Sequence, residues 1–233
     1  MLTSLQPMKP QDLLRFHPFV GALAERDADE LLKTAVTRRF KPDDVIFRKD
    51  DPGNGLYCVV TGRVVVVADS ADGKELILNV FSPGEFFGEI ALLDGEGRTA
   101  TAIAREASEL LFLDRTHFMP FLARSPEATT RIIRLLCKRL RRTNSLVEDS
   151  IFLPVSLRLA KQLLALVDVY DLRAAAQPTF PVGQAELGRM LGVSREIVAR
   201  QLAIWRRAGL VEMQRGRITL RDRAALAAMV GNS

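Results

Sequence analysis

Apolar positions along the chain change their period twice. Between residues 35 and 113 they fall in short runs rich in Val, Ile, Leu and Phe. Turn-forming pairs separate the runs: Pro52-Gly53, Asn54-Gly55, Thr61-Gly62, Asp72-Gly73 and Pro83-Gly84. Such runs, bounded by Gly, Pro, Asn and Asp, read as β-strands. Their spacing of about ten residues predicts an all-β roll, jelly roll or barrel. Leu56–Val60 and Val64–Val67 flank Gly62 and read as a tight hairpin, while Leu76–Phe81 and Ile103–Leu113 supply further strands. Upstream, Leu31, Leu32 and Val36 give Asp27–Thr37 helical spacing.

After residue 124 the period becomes helical. Ile132, Ile133, Leu135, Leu136, Leu140, Val147 and Ile151 recur at roughly the helix repeat. Ser125-Pro126-Glu127 is a helix start, with Ser at the N-cap and Pro in the first helical position. A helix of this length invites pairing with a second one, although the stripe is ragged around Arg141–Asn144. Leu153-Pro154 ends it, because Pro removes a donor and disfavours helix in the residue before it. Val155–Val169 is a second amphipathic helix, Asp171–Pro181 a loop, and the remainder two helices and a short strand pair around Gly216. The expected organisation is a β-rich domain over residues 1–124, a long helix over 125–153 and a third domain over 154–233.

Charge separates the last part from the rest. Residues 154–233 hold 12 Lys and Arg against 6 Asp and Glu, whereas residues 1–153 hold 21 against 22. A polyanion is therefore expected to meet only the final third. No apolar run approaches the ~18 residues that cross a bilayer. The opening MLTSLQPMKPQDLL lacks a basic head followed by an apolar stretch, so no signal peptide is expected. Cys58 and Cys137 are too far apart for a metal-ligand spacing or a disulfide framework. These features point to the cytoplasm and to no membrane partner. No nucleophile elbow, P-loop or paired His ligands are present, so an enzyme is not expected.

The basic final third contains QAELGRMLGVSREIVARQLAIWRRA over residues 184–208. Leu187, Met190 and Leu191 face inward from a first helix, and Gly192-Val193 makes the turn. Ser194 caps a second helix, whose first-turn Glu196 suits the helix dipole. Val198, Leu202 and Trp205 form its buried stripe. The outward face near its N-terminus carries Arg195, Glu196 and Arg200, where a recognition helix reaches base edges. Arg suits guanine O6 and N7, and Glu accepts from cytosine N4. Arg215 and Arg217 flank Gly216 at a hairpin tip and suit phosphates. The plain alternative is a helical hairpin with a solvated, charged face.

A second constellation is GEFFGEIALLDGEGRTATA over residues 84–102. A cyclic nucleotide brings one negative charge that must be neutralised when buried. Arg98 offers a bidentate fork. Backbone N–H groups beginning near Gly88-Glu89 form an anion nest, which Gly88 lets the ligand approach. Glu89 accepts from a ribose hydroxyl, and Thr99 adds a hydroxyl beside Arg98. The plain alternative is a structural Glu89–Arg98 ion pair with glycines that only turn.

The run Gly192-Val193-Ser194-Arg195-Glu196-Ile197-Val198-Ala199-Arg200 strongly resembles the helix-turn-helix of the cyclic-AMP receptor protein/FNR (Crp/Fnr) family. Phe87-Gly88-Glu89-Ile90-Ala91-Leu92 with Arg98-Thr99-Ala100 is similar to the phosphate-binding cassette of cyclic-nucleotide-binding domains. The resemblance covers nearly the whole chain in the family's domain order. It implies an α+β fold: an N-terminal β-roll (a double-stranded β-helix or jelly roll) that binds a cyclic nucleotide, a long dimerisation helix, and a C-terminal winged helix-turn-helix.

The resemblance also implies site roles. Gly88, Glu89, Ile90, Ala91, Arg98 and Thr99 line the ligand, Glu89 on the ribose and Arg98 with Thr99 on the cyclic phosphate. Thr143 and Asn144 cap the base, where the family's cyclic-AMP receptors carry Thr-Ser; Asn144 is the departure. Arg139 matches a family Arg that approaches the ribose-binding Glu. Arg195, Glu196 and Arg200 read TGTGA-like half-sites of a palindrome, presented by a homodimer on double-stranded DNA. RNA polymerase is retained as a further candidate partner. cAMP is favoured and cGMP stays open, because Thr99 resembles the hydroxyl of cyclic-GMP-selective kinases. No metal, haem or iron–sulfur cluster is expected: no Cys precedes Cys58, and His17 and His117 read as surface or packing residues. Two alternatives remain: a regulator active without nucleotide, and a nucleotide-sensing module that does not act on DNA.

Overall fold

In the computed structural model residues 25–70, 72–214 and 216–231 are described, with side chains from residue 29. The chain is α+β. A helix α1 (Glu25–Lys33) precedes eight strands: β1 (Val36–Phe40), β2 (Val45–Phe47), β3 (Gly55–Thr61), β4 (Val64–Asp69), β5 (Glu75–Phe81), β6 (Phe86–Phe87), β7 (Thr101–Ala104) and β8 (Ser108–Asp114). A short helix α2 (Glu89–Asp94) lies between β6 and β7. The strands form two four-stranded sheets, ordered β1-β8-β3-β6 and β2-β7-β4-β5. Helices α3 (Arg115–Arg124), α4 (Pro126–Phe152) and α5 (Val155–Val169) follow. Then come β9 (Thr179–Phe180), α6 (Gln184–Leu191), α7 (Arg195–Arg207), β10 (Val211–Gln214), β11 (Arg217–Leu220) and α8 (Arg223–Gly231).

The two faces of β3 and β8 explain their unbroken apolar runs. Tyr57, Val59, Leu110 and Phe112 point into the roll and pack against Val64, Phe81, Phe87 and Ala102. The alternate residues Leu56, Cys58, Val60, Leu111 and Leu113 pack outward on α1, α3 and the start of α4. A strand covered on both sides loses its polar alternation. The Gly62 turn therefore differs from the expected hairpin. β3 pairs with β8 and β6, β4 with β7, and the turn carries the chain from one sheet to the other. Gly62 adopts φ 83, and a Cβ there would sit 2.3 Å from Ser108 Oγ. Ile103–Leu113 is likewise two strands, broken at 105–107. The first helix is shorter than its spacing suggests. It ends at Lys33, and Val36, β-branched and 56% exposed, opens β1 opposite Phe112.

Cα packing divides the chain into two compact units, one of residues up to 68 with 79–140, the other of residues 69–78 with 141–233. In the first, Ser125 Oγ accepts from Ala128 N–H at 3.3 Å and starts α4. In the second, Leu159, Leu163, Leu166, Leu187, Val198, Leu202 and Trp205 share one core with Ile218 and Leu220 of the wing. The wing sheet is ordered β10-β11-β9, so a two-residue strand interrupts the expected 171–181 loop. Lys161 Nζ pairs with Asp149 Oδ1 at 2.6 Å across the Leu153-Pro154 break between α4 and α5. Among the described residues no helix is long and apolar enough to cross a membrane.

Candidate functional site

Arg98 is the centre of the first site. It is 4% exposed. Backbone bonds fix its position: Asp50 N–H donates to the Arg98 carbonyl at 2.8 Å, and Arg98 N–H to the Asp51 carbonyl at 2.9 Å. The side chain lies 4.3 Å over the Phe47 ring. Nη1 donates to the Gly88 carbonyl at 2.6 Å and Nη2 to the Gly55 carbonyl at 2.7 Å. Nε is buried with no hydrogen-bond partner. Burial pushes the pKa of this guanidinium down, because nothing nearby fully replaces lost hydration. An anion at this position would relieve the penalty and satisfy Nε.

Glu89 forms no ion pair with Arg98, although its charge favours the guanidinium from nearby. It is 2% exposed and forms an ion pair with Arg139 of α4. Arg139 also donates to the Phe86 carbonyl and lies 5.1 Å from the Phe81 ring. The Glu89–Arg98 pair that a purely structural cluster would contain is replaced by Glu89–Arg139. Gly88 has φ 80, and a Cβ there would sit 2.7 Å from Arg98 Nη1. Glycine is thus required twice at this position, for its backbone and for the guanidinium's approach.

The α2 cassette is clamped on two sides, by Gly53, which the sequence marked only as a turn, and by Arg115, which it did not single out. A Cβ at Gly53 would lie 2.5 Å from Ala91 Cβ, so the loop before β3 packs directly on α2. Arg115 Nη1 donates to the Leu92 carbonyl at 2.5 Å, holding the other end. Ala91 is buried and Ile90 is 43% exposed. Thr99 is exposed next to Arg98, and Thr143 and Asn144 are exposed on α4. His117 is exposed on α3; His17 lies outside the described residues.

The second site is the pair α6–α7. Gly192 ends α6 with φ 66, and its N–H donates to the Gly188 carbonyl. Val193 N–H donates to that same carbonyl at 3.0 Å. A Cβ at Gly188 would lie 2.7 Å from the Val193 carbonyl oxygen, so this turn needs both glycines. Arg158 of α5 donates to the Leu191 carbonyl and closes the end of α6. Ser194 occupies the N-cap of α7 without a side-chain bond to a helix N–H. Its hydroxyl instead supports Glu196. That carboxyl is held below its ordinary value by its own backbone N–H first, then by Ser194 and Arg195. Val198, Leu202 and Trp205 are buried, leaving Arg195, Glu196 and Arg200 exposed on one side. Arg217 is exposed at the start of β11. Arg215 lies outside the described residues.

A β-roll that buries an arginine with an unpartnered Nε, and a helix-turn-helix backed by a wing, are the two features that set the class of this protein. The cyclic nucleotide-binding domain family matches residues 37–125, and the Crp-like helix-turn-helix domain matches residues 157–229. A CRP-like cAMP-activated global transcriptional regulator of Mycobacterium tuberculosis is 31% identical over 200 residues, covering 83% of this chain and 89% of that protein. The cyclic AMP receptor protein of Thermus thermophilus is 33% identical over 209 residues, covering 90% and 94%. Among solved structures, the c-di-GMP responsive global regulator CLP of Xanthomonas campestris matches with a TM-score of 0.74 at 27% identity, over 85% of this chain and 100% of that one. The chain belongs to the Crp/Fnr family: it is a DNA-binding transcription regulator with a cyclic-nucleotide-binding domain, not an enzyme.

Proposed function

We propose that this regulator is a homodimer paired through Ser125–Phe152 and switched by a cyclic mononucleotide, with cAMP favoured over cGMP. The observation that carries the reading is Arg98, buried with its Nε unpartnered and Glu89 already committed to Arg139. The proposed roles are Arg98 and Thr99 on the cyclic phosphate, Glu89 on the ribose, and Gly88, Ile90 and Ala91 as the cassette backbone. Thr143 and Asn144 meet the base from α4. The relatives named as a cAMP-activated regulator and as a cyclic AMP receptor protein favour cAMP. The protein works in three parts, a sensing domain over residues 1–124, the helix over 125–153 and the DNA-binding domain over 154–233, in the cytoplasm and without metal or haem.

On DNA, Arg195, Glu196 and Arg200 read a TGTGA-like half-site and Ser194 and Arg217 meet phosphates, with Arg215 beside Arg217 in the hairpin. Two copies match half-sites about 34 Å apart, one turn of the duplex. The ligand acts only as far as it binds the DNA-competent arrangement more tightly than the other. The test is fluorescence anisotropy on a labelled duplex carrying two such half-sites, without nucleotide and with cAMP, cGMP or c-di-GMP. Tightening of at least about tenfold with cAMP, a coupling of about 1.4 kcal/mol, is expected. Tight binding that no nucleotide changes would contradict the switch.

A further inference from the structure

Helix α7 presents an exposed apolar side chain among the residues assigned to base edges. In its first two turns Val198 is buried, Ala199 and Gln201 are half-buried, and Arg195, Glu196, Ile197 and Arg200 are exposed. Ile197 is 40% exposed and takes no part in the core that Val198, Leu202 and Trp205 join. At about 100° per residue, Arg195, Glu196, Arg200 and Ile197 stand at roughly 0°, 100°, 140° and 200°, while the buried stripe spans roughly 280° to 340°. Ile197 therefore flanks Arg200 on the side away from Arg195. It also lies in the N-terminal part of the helix, the part that reaches base edges.

An isoleucine at this place has a narrow choice of partner. It carries no donor or acceptor, so it makes no hydrogen bond to a phosphate or to a base edge. The major groove displays donors, acceptors and one apolar group that distinguishes a base, the C5-methyl of thymine. Packing Ile197 on that methyl removes apolar surface of both from water. Cytosine in the same place has no methyl to offer.

We infer that Ile197 is a specificity-determining residue: it packs on a thymine C5-methyl at the base pair beside the one that Arg200 contacts, on the side away from Arg195. This rests on the α7 reading proposed above and extends it from hydrogen-bonded edges to an apolar one. Ile204 is 52% exposed on the same side of the helix. It lies seven residues further on, about 10 Å along the axis and away from the N-terminal part that reads bases. It is therefore the matched control.

The experiment uses full-length protein with cAMP present, on a duplex that the protein selects from a random-sequence pool. Each thymine is replaced in turn by deoxyuridine, which lacks only the methyl, and affinity is read by fluorescence anisotropy. Native protein should lose about three- to tenfold at one thymine, the scale of one buried methyl. At that same position 5-methylcytosine should be bound better than cytosine by a similar factor. Ile197→Ala replaces an exposed residue with a better helix former, so folding is retained. This variant should bind the thymine and deoxyuridine duplexes equally, whereas Ile204→Ala should keep the native difference. Equal binding of native protein to every such pair of duplexes would overturn the inference. So would an Ile197→Ala protein that keeps the difference, or its loss in both variants, which would report the helix and not one side chain. Native protein that selects no sequence would remove the base-reading role of α7 itself, and this inference with it.

Discussion

At the scale of single residues, the proposed ligand site turns on how a buried charge is left incomplete. Arg98 spends Nη1 and Nη2 on two backbone carbonyls and keeps Nε without a partner. The neighbouring carboxylate of Glu89 makes its ion pair with Arg139 and favours Arg98 only from a distance. Gly88 is the residue that sets this geometry, with positive φ and no room for a Cβ beside the guanidinium. Gly88→Ala should cost about 1–2 kcal/mol of stability from the left-handed backbone alone, read in denaturant unfolding. It should also weaken cyclic-nucleotide binding at least about tenfold, because Arg98 must move. A folded Gly88→Ala protein with native affinity would show that the position of Arg98 is not what the ligand reads.

At the scale of elements, local signals were readable and distant ones were not. The α6–α7 pair was legible because its turn, cap and buried stripe lie within 25 consecutive residues, 184–208. The sheet pairing was hidden because strands buried on both faces carry no alternation to mark which sheet they join. That is why the Gly62 turn looked like a hairpin. Likewise Arg98 and the cassette could be named from sequence, but Phe47 and Gly55 could not. Gly55 is 43 residues from Arg98, and no local pattern marks a carbonyl as an acceptor. On the DNA side, two elements should separate experimentally. Glu196→Ala on α7 should relax base preference by about 1–3 kcal/mol at one position of the half-site. Arg217→Ala on the wing should weaken all sequences alike and reduce the salt slope by about one. Equal effects of the two variants on preference would contradict the division between reading and anchoring.

At the scale of the whole molecule, helix α4 bears both the residue that holds Glu89 and a row of exposed apolar side chains, which the proposed dimer would bury. Arg139 reaches back from α4 to Glu89, while Ile133, Leu140, Val147 and Ile151 remain uncovered in the protomer. The switch proposed for this protein requires a coupling between nucleotide binding and DNA binding, and it begins at the site around Arg98. The most direct measurement is calorimetric titration of the full-length protein with cAMP, and in parallel with cGMP, repeated on Arg98→Leu. Binding in the micromolar range or tighter is expected for one nucleotide. Removing the buried guanidinium should cost about 3 kcal/mol, a loss of roughly 100-fold, with the fold intact by circular dichroism. Absence of binding to native protein, or an unchanged affinity in Arg98→Leu, would contradict the account.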